Sequence, residues 1–133
     1  MGAHVKKYKS GLTDQIDLMA ILTETSRFVS QSLRCLEDLQ VPPPIFVAMT
    51  LVNVRGCILG VPIRPGDPIR TMDRDVMRLR ELQIAPGSSA DIESVAKQLR
   101  PAMDELANAG GYSRSDLYDG SGNLTYNIRS TAF

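Results

Sequence analysis

The stretch PPPIFVAMTLVNVRGCILGV, residues 42–61, decides how the chain is organised. Its middle, IFVAMTLVNV (45–54), reads as a β-strand, because branched residues dominate and the length suits one. Both parities are apolar. Odd positions carry Ile45, Val47, Met49 and Leu51; even positions carry Phe46, Ala48, Val52 and Val54, interrupted by Thr50. An antiparallel strand with one wet face alternates apolar and polar side chains. This one therefore asks for a cover on both faces. Arg55-Gly56 supplies a tight turn, since glycine accepts positive φ. CILGV (57–61) then returns as a second strand.

Upstream, TDQIDLMAILTETSRFVSQSLRCLEDLQ (13–40) reads as a long amphipathic helix. Leu18, Leu22, Thr25, Val29, Leu33 and Leu36 recur at steps of three and four, and Met19, Ile21, Phe28 and Cys35 widen the stripe. Thr13 or Asp14 caps its first turn, and Pro42-Pro43-Pro44 ends it. Downstream, PIRPGDPIRT (62–71) is an exposed loop. A third strand covers about 75–84, DVMRLRELQI. There Val76, Leu82 and Ile84 share a parity with Arg78 and Arg80, while Met77 and Leu79 take the other, so the strand must bend or carry a bulge. After Pro86-Gly87, a serine cap in Ser88-Ser89-Ala90-Asp91 opens a second helix with the stripe Ile92, Val95, Ala96, Leu99, Met103 and Leu106. Pro101 kinks or splits it, and Gly110-Gly111 stops it. The remainder is polar and turn-rich: a hairpin around Asp119-Gly120-Ser121-Gly122, or disorder.

The order is helix, three-stranded meander, helix. That is an α+β fold with the helices packed on an antiparallel sheet. The expected organisation is a flexible basic tail (1–12), one α+β domain (13–112) and a polar C-terminal tail (113–133).

Composition narrows the chemistry. Fifteen basic and fifteen acidic residues balance, so no global field recruits nucleic acid or an anionic membrane. No apolar run approaches the ~20 residues of a membrane span, and no signal peptide is apparent. The single histidine, His4, lies in the tail with Lys6, Lys7 and Lys9. Serine–histidine or cysteine–histidine activation and histidine-ligated zinc therefore have no base or ligand in the body. Cys35 and Cys57 do not make a metal motif. They read as free thiols in a cytoplasmic protein. Asp73-Arg74-Asp75 offers a cation two carboxylates, fewer than a hard ion wants. No phosphate loop is present. No catalytic residue, cofactor or metal is expected.

Four strings carry a resemblance: ILTETSRFVSQSL, VPPPIFVAMTLVNVRGCILGV, MDRDVMRLRELQI and LRPAMDELANAGGYSRS. In this order, over roughly residues 15–118, the chain resembles the C-terminal region of bacterial proteins with an N-terminal AlbA-type, Schlafen-like DNA-binding and ATP-binding domain. The resemblance implies an accessory domain, because the nucleic-acid and nucleotide functions of such proteins belong to the N-terminal part.

Two helices can cover one face of a three-stranded sheet. The second face then calls for a cover: the C-terminal tail, another copy of the chain, the rest of a longer parent protein, or one helix on each side, with self-association or docking to a parent chain as the favoured reading. The expected interaction residues are Phe46, Ala48, Val52 and Val54. An alternative is a nucleic-acid-binding module using Arg55, Arg64, Arg70, Arg78 and Arg80, although acidic residues interleave and no aromatic side chain is there to stack on bases. A small-molecule sensor with a pocket between helices and sheet is a third possibility.

Overall fold

The computed structural model describes residues 7–10, 13–60 and 70–130. The fold is α+β, with the elements β1 (Lys7–Ser10), β2 (Thr13–Ile16), α1 (Leu18–Asp38), β3 (Ile45–Val47), β4 (Thr50–Val52), β5 (Ile58–Leu59), β6 (Val76–Arg78), β7 (Leu82–Ile84), α2 (Ile92–Gln98) and α3 (Arg100–Ala109).

α1 begins later than its periodicity suggested. Thr13–Ile16 is extended and pairs with β1, so neither Thr13 nor Asp14 can cap the helix. Asp17 does so instead: its side chain accepts from the Ala20 amide at 3.1 Å. The helix buries Leu18, Ile21, Leu22 and Val29, together with Thr23, Ser26 and Ser30. These short hydroxyl side chains let α2 pack closely against it, and the Ser30 hydroxyl donates to the Ala90 carbonyl. α1 ends before the prolines. Gln40 takes φ 56°, and the amides of Gln40 and Val41 return to the carbonyls of Glu37 and Leu36, each at 2.9 Å. That is a Schellman ending with glutamine in the left-handed position.

The expected three-stranded meander is replaced by a two-stranded antiparallel ribbon. β3 pairs with β7 (Ile45 opposite Ile84, Val47 opposite Leu82), and β4 pairs with β6 (Thr50 opposite Arg78, Val52 opposite Val76). Between the two blocks, Ala48 and Met49 stand opposite three residues, Leu79, Arg80 and Glu81. The Leu79 amide donates to the Met49 carbonyl at 3.0 Å. One strand thus carries a one-residue bulge. This accounts for the broken alternation of 75–84. Met77 and Leu79 point inward before the bulge and Ile84 after it, so the strand keeps one face on the core while its parity changes.

Residues 57–60 do not fold back on 45–54. Asn53 (φ 59°) and Gly56 (φ 77°) turn the chain, the Cys57 amide closes on the Val54 carbonyl at 3.0 Å, and β5 leaves to pair in parallel with β2. Cys57, Ile58 and Leu59 are consecutive and all buried, as an apolar run without alternation requires.

The second helix splits at the proline. α2 closes at Leu99, and α3 opens at Arg100 with Pro101 in its first turn, where a missing amide costs nothing. Asp91, not a serine, is the cap of α2; it accepts from Glu93 and Ser94, while Ser89 accepts from the Asp91 amide.

The ends differ from the expected tails. Lys7–Ser10 is a strand; the rest of 1–12 lies outside the described residues. Residues 113–130 belong to the packed body, since Leu117, Tyr118 and Ile128 are buried. The hairpin alternative holds around Asp119–Gly122, with Tyr118 bridged to Leu124. One core joins α1, α2, α3, β5, the inner face of the ribbon and this C-terminal segment; Leu22, Leu99, Met103 and Leu106 are wholly enclosed.

Candidate interaction face

Strand 45–52 sends its odd residues inward. Leu51 is buried, and Ile45, Val47 and Met49 pack on the core. Its even residues face solvent. Phe46 is 53% exposed and Val52 59%, and Ala48 and Thr50 are exposed too. Across the ribbon stand Val76, 47% exposed, with Arg78 and Gln83. Val52 and Val76 are register partners, so two branched side chains share one exposed patch. Three of the four expected interaction residues, Phe46, Ala48 and Val52, lie on this face. Val54 does not. It is 3% exposed, because left-handed Asn53 reverses the alternation and the Val54 amide donates to the Asp75 carbonyl at 3.2 Å. Val76 was missed. Its parity matched Arg78 and Arg80, which is itself the signal of an outward face.

The arginines are not gathered into one surface. Arg55 donates to the Asp75 carboxylate and to the Asp73 carbonyl, both at 3.0 Å. Arg74 meets Asp73 at 3.3 Å, and Arg80 meets Glu105 of α3 at 3.6 Å. Arg78 lies on the outer face of the ribbon. Arg70 instead packs beside Gly111 and lines a cleft of about 480 Å³ with Asp73, Arg74, Glu105 and Asn108. Arg64 lies outside the described residues. Asp73 and Asp75 are therefore arginine partners, and among the described residues no group of three potential metal ligands occurs. Cys35 is exposed, Cys57 is buried, and both are free.

The C-terminal segment supplies further polar contacts, and its tyrosines, for which tail anchoring was the simpler expectation, take part in them. The Tyr118 hydroxyl donates to the Ala96 carbonyl at 2.7 Å, and Thr23 and Tyr126 share a hydrogen bond of 3.0 Å. Arg129 reaches both carboxylate oxygens of Asp91 and one of Glu93. This guanidinium holds the Asp91 carboxyl below the usual range. The amides of Asn123 and Ser121 do the same for Asp119. Burial pushes both tyrosine phenols up. Each of these groups moves away from neutrality, the opposite of what a proton-transferring side chain needs. The spacing Leu117, Tyr118, Leu124, Tyr126, Ile128 about a turn was the available sign of this segment's packing. Among the described residues, no helix is long and apolar enough to cross a membrane. No family model matches the chain, and no curated protein or solved structure is significantly similar to it.

Proposed function

We propose that the chain is a non-catalytic docking domain that associates through the outer face of its ribbon, accessory to a larger DNA-binding or regulatory protein of the kind its sequence resembles. The observation that carries this reading is the Val52–Val76 pair, about half exposed and flanked along the strand by Ala48 and Phe46. Apolar side chains scattered singly on a surface need no explanation, but the exposed Val52–Val76 pair, with Ala48 and Phe46 beyond Thr50 on the same strand face, invites a partner. The polar groups support the same reading, since the carboxyls and phenols with perturbed pKa are spent on structure. Two free thiols suit a reducing, cytoplasmic setting.

The test replaces the patch without touching the core. Val52→Lys with Val76→Glu keeps opposite charges across the strands. The melting temperature should change by only a few degrees, as for most surface substitutions. Sedimentation velocity over a dilution series, from low micromolar to near-millimolar, should show wild-type mass rising with concentration and the variant remaining at monomer mass. A wild type that stays monomeric throughout and matches the variant overturns the reading.

A further inference from the structure

We infer that the free edge of strand 45–52 receives an extended peptide segment of a partner protein, which joins the ribbon as a third strand through main-chain hydrogen bonds. The inference concerns the strand's edge rather than its outer face, and it stands whether or not that face self-associates.

The hydrogen-bond pattern identifies the edge. In an antiparallel ladder, alternate residues bond across and the residues between them point away. The Leu79 amide bonds to the Met49 carbonyl, and Leu51 is paired with Met77, so 49 and 51 face the ladder. Farther along, the Ala85 amide donates to the Gln98 side chain at 2.9 Å instead of crossing the ribbon. The bonded pairs there are Ile45 with Ile84 and Val47 with Leu82. Odd residues thus make the ladder throughout. The bulge lies on the opposite strand, so the alternation of 45–52 is unbroken. The amides and carbonyls of Phe46, Ala48, Thr50 and Val52 all turn to one outer edge, and none of these amides has a partner among the described residues. They recur about every 6.8 Å, the two-residue repeat of a strand, over about 20 Å.

The ribbon's other edge is closed by the helices. Gln98 of α2 takes the Ala85 amide, and Glu105 of α3 takes the Arg80 amide at 2.8 Å. Strand 45–52 has no such cover, and it carries none of the charges, prolines or bulges that block an open edge. Its inward side chains are incompletely covered as well. Ile45, Val47 and Met49 are only half-buried, whereas Met77, Leu79 and Ile84 of the opposite strand are buried. Ile45 also lines a cavity of about 330 Å³ with Leu33 and Leu36 of α1.

These features define the occupant. Main-chain groups at strand spacing call for an extended backbone, about six to eight residues long. The half-covered inward side chains call for branched apolar residues at every second position of that segment. A second copy's strand would bring inward side chains already packed on its own core, whereas a free segment can turn one into the cavity beside Ile45.

Native-state hydrogen exchange followed by NMR tests the inference. In dilute free protein, the amides of Val47 and Leu51 should be protected, and those of Phe46, Ala48, Thr50 and Val52 should exchange freely. The probe is a blocked eight-residue peptide that alternates valine and threonine between terminal lysines. At about 1 mM it should slow the four even amides about twofold or more. The same peptide N-methylated on every valine and threonine has lost the donors and should have no effect. Thr50→Pro leaves the ladder intact because the Thr50 amide points outward. It should keep the wild-type circular dichroism and bind the peptide about tenfold more weakly or worse. Even amides already protected in dilute free protein, no slowing by the unmethylated peptide, or slowing that survives N-methylation overturns the inference. Protection that appears on concentrating the protein without peptide assigns the edge to a second copy and overturns it too.

Discussion

At Gln40 the chain leaves α1 with φ 56°, a conformation that costs an L-residue about 1 kcal/mol and glycine almost nothing. α3 ends in the same way with a glycine: Gly111 has φ 93°, and the amides of Gly111 and Tyr112 return to Asn108 and Ala107. Gln40→Gly should therefore stabilise the fold by about 0.5–1 kcal/mol. The urea midpoint should rise with an unchanged m-value; a fall would show that the Gln40 side chain makes a contact worth more than the strain. Tyr118 carries a pH prediction. Burial, more than the nearby Tyr126 and Asp104, raises its phenol pKa, while Arg100, 5.7 Å from the ring centre, opposes the rise. The folded-state value therefore lies above the unfolded value of about 10. Below that pH both states are neutral and stability is flat. As the pH rises above it, the unfolded chain ionises first and stability declines. Tyr118→Phe should cost about 1 kcal/mol at neutral pH through the lost hydrogen bond to Ala96, and should flatten the alkaline decline. Urea titrations at pH 8 and pH 11 measure both effects; an equally steep decline in the variant would assign it to Tyr126, whose phenol is also raised by burial.

The bulge in the ribbon reconciles the changed parity of 75–84 with a single buried face. Deleting Glu81 would make the two strands flush, with two residues facing two. Met77, Leu79, Leu82 and Ile84 would then follow strict alternation, so all four keep facing the core. The deletion variant should therefore keep the dispersed amide spectrum of the wild type, as should Glu81→Ala; a deletion variant that loses it would mean that the shape of the bulge is itself required. This element was half legible in advance. The alternation of 75–84 failed visibly, and a bulge is the physical remedy for such a failure. The apolar even positions of 45–52 announced a face that the chain leaves bare. Val54 was misread because a left-handed asparagine leaves no mark in hydrophobic pattern. The pairing of β5 with β2 was hidden more deeply. Thr13-Asp14-Gln15-Ile16 continues the helical period of α1, and its parallel partner lies more than forty residues away, so only the tertiary context turns it into a strand.

At the scale of the whole molecule, the C-terminal segment acts as a strap across the two helical layers. It ties α1 through Tyr126 and Thr23, and α2 through Tyr118, Ala96 and the Arg129 pairs. The tyrosines hinted at such anchoring, but the polar composition hid the buried apolar residues, because the few that matter are spread over a turn rather than along a helix or strand. Two sources of strength compete. Arg129 is 55% exposed in its ion pairs, and exposed pairs contribute little and are screened by salt. Ile128 is 1% exposed, with Leu117 and Tyr118 buried beside it. Ile128→Ala should then cost about 2–4 kcal/mol, while Arg129→Ala costs distinctly less. Truncation after Arg114 removes all three buried side chains and exposes the core surface beneath them. Against a total stability of about 5–15 kcal/mol for a domain of this kind, that loss should unfold the protein. Urea denaturation in low and high salt distinguishes the two sources. If burial holds the strap, the order of the variants is the same in both salts, with Ile128→Ala the weaker. If Arg129→Ala proves the more damaging and its effect disappears in high salt, the strap is held by charge instead.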